Sequence, residues 1–184
     1  MKILKLPHRA TVEDLLALDD KAELVNGQLV LMGRPGMRPA RTAARIWKSL
    51  EQHELTHGGG VSGPDGGDFL VDLPNRESFS PDVSWYYGTE VDGTVDGPPA
   101  LAVEVRSRGD YGLRAERTMA AKRAEYFAAG TAVVWDVDVL REQVIRVYRP
   151  DDAEPTIYRR GEIAEAEPAV PGWRFPVDGL FPCG

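Results

Sequence analysis

Ala100-Leu101-Ala102-Val103-Glu104-Val105 and Ala132-Val133-Val134-Trp135-Asp136-Val137 are two nearly continuous apolar runs on either side of a helix-like segment, Arg114 to Ala129. Runs of this length without regular polar alternation predict strands buried on both faces. The segment between them stops at Gly130, the residue type that caps a helix carboxyl terminus. A strand, a helix and a strand of these lengths imply a right-handed crossover between parallel neighbours, which makes the chain α/β.

Outward from this unit, Phe69-Leu70-Val71-Asp72-Leu73 and Asp82-Val83-Ser84-Trp85-Tyr86 read as further strands. Thr11-Val12-Glu13-Asp14 opens a short helix with a capping-box start, running to about Leu18. Ala22 to Met32 reads as a hairpin, because Asn26-Gly27 supplies the positive φ angles of a two-residue turn. A longer helix spans about Pro39 to Leu55, with Ala43, Ile46, Trp47 and Leu50 on its apolar face. His57 to Gly67, rich in glycine with Pro64 added, reads as a long surface loop. Gln143 to Tyr148 and the Pro- and Glu-rich tail add further strands or an edge.

The chain has 184 residues, 42% hydrophobic and 28% charged, which predicts one domain over residues 1–184. The single cysteine, Cys183, excludes an internal disulfide, and no segment approaches membrane-spanning length, so a cytoplasmic protein is expected. A net charge of -7 argues against coating nucleic acid by bulk attraction. The basic residues are nevertheless clustered. Between Leu24 and Leu50 there are five and no acid, and between Arg106 and Arg123 there are six against two acids.

Two acids interrupt the strands: Asp82 in Ser80-Pro81-Asp82-Val83 and Glu104 in Leu101-Ala102-Val103-Glu104-Val105. Burying such charges is costly unless something compensates them, and a divalent cation is a common compensation. Lys122 follows on the next helix, sharing a face with Ala115, Met119 and Tyr126. It therefore points toward Glu104, or else snorkels to the helix edge. An acid, a second acid and a lysine on strand, strand and helix is a pattern for metal-assisted hydrolysis of a phosphodiester.

Pro81-Asp82, Glu104-Val105-Arg106-Ser107, Lys122 with Tyr126 and Gly130, and Val134-Trp135-Asp136-Val137-Asp138, preceded by Glu23-Leu24-Val25-Asn26-Gly27, resemble the Uma-type family of restriction-endonuclease-like proteins, within the PD-(D/E)XK nuclease-like superfamily. The resemblance spans roughly Glu23 to Tyr148. It implies a restriction-endonuclease-like core, a central mixed β-sheet flanked by helices with an N-terminal hairpin, and a DNA-cutting activity that uses Mg²⁺ or Mn²⁺. Asp82, Glu104 and the backbone carbonyl of Val105 would be the metal ligands. Lys122 would position the attacking water or stabilise charge on the phosphate, and Glu23 would hold a metal-bound water or a second ion. Tyr126 joins the candidate substrate contacts. Cutting both strands of a duplex asks for two sites, hence a homodimer.

The pattern departs from the superfamily at Arg106, where its fullest motif has lysine. Alternation puts Arg106 on the same side of its strand as Glu104. It would either clamp a phosphate or pair permanently with Glu104 and leave an inactive nucleic-acid-binding module. Arg38, Arg41, Arg45 and Lys48 fall at i, i+3, i+7 and i+10, a phosphate-tracking ridge or a solvated helix face. His53-Glu54-Leu55-Thr56-His57 matches the H-E-x-x-H pattern of zinc peptidases, but at a helix end followed by three glycines.

Overall fold

The computed structural model describes residues 2–181, so Cys183 lies outside the described residues. The chain begins with β1 (Lys2–Leu4), a one-turn helix α1 (Val12–Leu16), and the hairpin β2 (Ala22–Val25) and β3 (Gln28–Leu31). The long helix α2 (Met37–His57) leads to β4 (Val61–Gly63), β5 (Phe69–Leu73), β6 (Arg76–Phe79), β7 (Val83–Tyr86), the two-residue β8 (Val95–Asp96) and β9 (Leu101–Val105). Then come α3 (Leu113–Ala129), β10 (Val133–Asp138), β11 (Val144–Tyr148), β12 (Thr156–Tyr158), a ribbon of β13 (Ile163–Glu165) and β14 (Arg174–Pro176), and a 3₁₀ turn over Val177–Leu180. None of the described helices is long and apolar enough to cross a membrane.

The strands form two six-stranded sheets and the ribbon. The first sheet has the order β1-β3-β2-β6-β5-β8, the second β12-β11-β10-β9-β7-β4. In the second, β9 and β10 run parallel through the α3 crossover while every other pairing is antiparallel, so this is the mixed sheet the apolar runs predict. The amino-terminal hairpin extends a sheet of its own. Polar β6, Arg76-Glu77-Ser78-Phe79, is hard to recognise as a strand from its composition.

The caps work as the residues demand. The Thr11 side chain accepts from the Asp14 N–H while the Asp14 carboxylate accepts from the Thr11 N–H. Asn26 and Gly27, at φ of 53° and 64°, make the left-handed two-residue turn. Gly130, at φ 109°, ends α3 with its N–H turned back to the Phe127 and Tyr126 carbonyls.

One expectation is corrected. The glycine-rich stretch after α2 contains β4, paired antiparallel with β7. Gly60 is there for closeness, since a Cβ on it would lie 2.5 Å from Trp85 Nε1. The tail adds further strands, as expected: β12 is the outer strand of the second sheet, and β13 and β14 pair as the ribbon. Ala164, Val170, Trp173, Phe175, Val177 and Leu180 are buried and close the core formed by α2 and one face of the second sheet, with the Trp135 and Trp173 rings stacked at 4.9 Å.

That face carries Leu101, Val103 and Val105 against Ala43, Ile46 and Leu50 of α2. The opposite face carries Ala102 and Val134 against Tyr126 of α3 and Phe69 and Phe79 of the first sheet. The Phe79 and Tyr126 rings stack at 3.9 Å, which wedges α3 between the two sheets. Alternation along β9 sends Glu104 to the α3 face.

Candidate active site

The chain passes from the first sheet to the second through Ser80-Pro81-Asp82, between β6 and β7. Asp82 is held against β9 twice: its N–H donates to the Val103 carbonyl at 3.0 Å, and its Oδ2 accepts from the Val105 N–H at 2.8 Å. Glu104 lies on the same strand, facing α3. Lys122 Nζ sits 2.8 Å from Glu104 Oε1 and 2.8 Å from Glu23 Oε1, and the Tyr126 hydroxyl donates to Glu104 Oε1 at 2.8 Å. Glu23, Asp82, Glu104, Lys122, Tyr126 and the Val105 peptide thus meet where the two sheets join.

The cluster grades from closed to open. The Glu23 side chain is 3% exposed, Lys122 15% and Glu104 28%. Glu23 is fully engaged: Oε1 also accepts from the Ser80 N–H at 3.1 Å, and Oε2 from Arg76 at 2.8 Å. Arg76 in turn donates to Glu125 on α3 at 2.6 Å.

Burial pushes the Glu104 carboxyl above its ordinary range, and the Asp82 and Glu23 charges add to this against Lys122. Burial acts the same way on Glu23, but Lys122 and Arg76 outweigh it and hold that carboxyl below the usual range. Burial alone would lower the Lys122 ammonium. The Glu104 and Glu23 charges more than reverse this, so Lys122 is a fixed cation rather than a base at neutral pH. Burial and the same two carboxylates raise Tyr126 well above its ordinary value and keep it a hydrogen-bond donor.

Among the described residues, no group of three or more His, Cys, Asp or Glu side chains is placed to hold a metal ion. The donors at the open end are nonetheless hard oxygens, two carboxylates beside a peptide, and Glu104 carries surplus negative surroundings. That chemistry fits a Mg²⁺- or Mn²⁺-type ion that keeps several waters, and lacks the imidazole and thiolate donors that zinc favours.

Arg106 occupies neither of its expected positions. Its guanidinium is 5% exposed and donates to Asp136 Oδ1 and Oδ2, both at 2.6 Å, and to Glu116 Oε1 and Oε2 at 2.5 and 3.1 Å. Asp136 is the register partner of Glu104 on β10, so it faces the same side of the sheet. Arg106 is consumed by these two acids. It neither neutralises Glu104 nor presents a free fork to a phosphate.

The basic stripe on α2 is divided, and its helix packs on the sheet face opposite Glu104. Arg45 donates to the Leu180 carbonyl at 2.9 Å, and Arg38 lies 5.8 Å from the Phe181 ring centroid. Arg41 and Lys48 are exposed. No continuous ridge runs beside the acids.

The H-E-x-x-H segment is structural. The His53 and His57 rings stack at 4.5 Å, and Glu54 Oε2 accepts from the Ser62 N–H at 2.8 Å and hydroxyl at 2.7 Å, anchoring β4 to the end of α2. The glutamate that a peptidase would use as its base is occupied.

Three residues of the charged network around the site have no role assigned from the sequence. Arg76 lies in the polar strand β6. Asp136 is an acid in an apolar strand, the signal that marks Glu104. Lys21, the residue before β2, contacts Asp82 and Asp65, and lies two positions from Glu23.

The fold has a solved counterpart. The crystal structure of a putative nuclease belonging to DUF820 from Anabaena variabilis ATCC 29413 superimposes with a TM-score of 0.73 over 93% of this chain and 97% of that one, at 16% identity. The comparison with curated proteins gives no match. The model of the Uma2 family, described as "Putative restriction endonuclease", matches residues 11–178. A match of that extent, on a restriction-endonuclease-like fold, means that the chain belongs to the Uma2 family.

Proposed function

We propose that this protein is a Mg²⁺- or Mn²⁺-dependent endonuclease that hydrolyses DNA phosphodiester bonds at the Asp82–Glu104–Lys122 cluster. The observation that carries the reading is Lys122 on α3 reaching Glu104 and Glu23 together, with Asp82 held on the neighbouring Val105 peptide. The solved nuclease of the same fold and the family description are consistent with it.

Asp82 and Glu104 would hold the ion, with the Val105 carbonyl as a further oxygen. The ion would supply charge neutralisation at the phosphate and an acidified water. Lys122, a permanent ammonium here, stabilises negative charge on the phosphate rather than removing a proton. Tyr126 fixes the orientation of Glu104, and Glu23, buried and satisfied, fixes Lys122. Hydrolysis adds a hydroxyl to phosphorus and a proton to the departing oxygen. With a net charge of -7 the chain gains nothing from bulk attraction to DNA, so engagement would rest on local contacts, and cutting both strands would pair two copies.

The decisive assay is relaxation and linearisation of supercoiled plasmid with Mn²⁺. Wild type is expected to cut, and Glu104→Ala to lose at least about 100-fold, within the range for groups stabilising charge in a transition state. Equal rates would refute the assigned site. One observation favours a second reading, a non-catalytic nucleic-acid-binding module: lysines already occupy oxygens of Asp82 and Glu104. That reading prevails if calorimetry finds no Mn²⁺ uptake while DNA still binds.

A further inference from the structure

Lys21 stands at the rim of the cluster and has no part in the roles above. Its backbone is fixed, since its carbonyl accepts from the Met32 N–H at 2.9 Å and extends the hairpin beyond the Ala22–Leu31 pair. Its ammonium lies 3.4 Å from Asp82 Oδ1 and makes a second, shorter contact with Asp65 Oδ1. The remaining oxygen of Asp82, Oδ2, accepts from the Val105 N–H. Asp82 therefore offers a cation one oxygen without such a bond, and Lys21 is on it. The Lys21 and Asp82 side chains are both 24% exposed, and Asp65, in the segment between β4 and β5, is 45% exposed, so this corner is open to water and to a ligand.

An ammonium and a divalent cation cannot share one carboxylate oxygen without strong repulsion. A lysine can yield at little cost, because its charge rides on a flexible four-carbon stem with three donors. Asp65, already its closer partner, holds it within the site when it gives up Asp82.

We propose that Lys21 is a two-position site residue: it bridges Asp65 and Asp82 Oδ1 in the ion-free protein, and, when a divalent cation takes Asp82, gives up Asp82, keeps Asp65 and gains a substrate phosphate oxygen. This rests on the metal-dependent reading of the same cluster. Lys21 thereby lowers affinity for the ion in the absence of substrate, and lends a positive charge to the phosphate once the ion is bound.

The test is calorimetric titration of the full chain with Mn²⁺ alone, without DNA, for wild type, Lys21→Met, Asp65→Asn and the double variant, each checked for folding by its melting temperature. Lys21→Met is expected to bind Mn²⁺ roughly fivefold more tightly or better, the change one nearby charge makes in a solvated site. Asp65→Asn is expected to bind more weakly, because the ammonium loses its second partner, and this loss should shrink in the Lys21→Met background. With plasmid, Lys21→Met should raise KM more than it lowers kcat. If wild type binds Mn²⁺ and Lys21→Met binds it no more tightly, or if Asp65→Asn costs the same with and without Lys21, the proposal is overturned while the metal site stands. If no variant takes up Mn²⁺, both fall together.

Discussion

Lys122 and Tyr126, one helical turn apart on α3, converge on the same atom: the ammonium and the hydroxyl each lie 2.8 Å from Glu104 Oε1. Tyr126 is fully buried and its stacked ring on Phe79 fixes the hydroxyl in place. Tyr126→Phe should therefore remove one charge-assisted hydrogen bond and cost about 1.5–3 kcal/mol of stability. Lys122→Met should cost about 3 kcal/mol, the lower end for breaking a buried ion pair, because Glu23 keeps Arg76 and the Ser80 N–H. For a chain of this length that is a fall of roughly 6–12 °C in melting temperature. Plasmid cleavage separates the two, with loss of rate expected to be far greater for Lys122→Met.

Arg106 binds Asp136 through two hydrogen bonds in a region where both side chains are 5% exposed. Arg106→Leu strands a buried carboxylate and should destabilise by roughly 3–5 kcal/mol, whereas Arg106→Leu with Asp136→Leu should recover most of this. Because Arg106 has no bond to Asp82 or Glu104, native Arg106→Leu should bind Mn²⁺ as wild type does. Chemical denaturation and calorimetry on the same samples check both statements.

Acid should unfold the protein through carboxyls held below their ordinary range, among them Glu165. Burial raises that carboxyl, but the Glu167 N–H and Arg149 outweigh it. A lowered native value means that stability is fully present above the unfolded value, about 4.3, and is lost as pH falls through the native one. Glu165→Gln should flatten the acid limb of a plot of melting temperature against pH and leave its neutral plateau lower. Glu104, raised by burial, works in the opposite direction and in another window: its share is present below the unfolded value and is lost as pH rises through the native one.

Glu54 is a strut, not a base. Glu54→Ala removes two bonds to Ser62 and should lower stability by about 1–3 kcal/mol, while His57→Ala should be nearly silent. Metal analysis of purified protein should find no stoichiometric zinc in either.

The crossover from β9 through α3 to β10 was legible because burial on both faces leaves long apolar runs, and Gly130 marks the helix end. Asn26-Gly27 announced the hairpin. Helical spacing leaves Lys122 either on Glu104 or at the helix edge, and the structure has it on Glu104. Alternation along β9 cannot reveal the partner of Arg106: Asp136 lies on a strand 30 residues away and takes the guanidinium before Glu104 can. Arg76 and β6 escaped because a strand bonded to a charged network need not look apolar. Gly60 and the segment at β4 escaped because glycine selected for close contact with Trp85 has the same composition as glycine selected for a loop.

Glu23 comes from the first sheet and Glu104 from the second, and a single ammonium spans them. That bridge cannot exist in a chain that has folded either sheet alone. During refolding, the stability that Lys122 contributes should therefore appear only after most of the secondary structure has formed, so that Lys122→Met speeds unfolding far more than it slows folding and marks the last event, the closing of one sheet onto the other across α3.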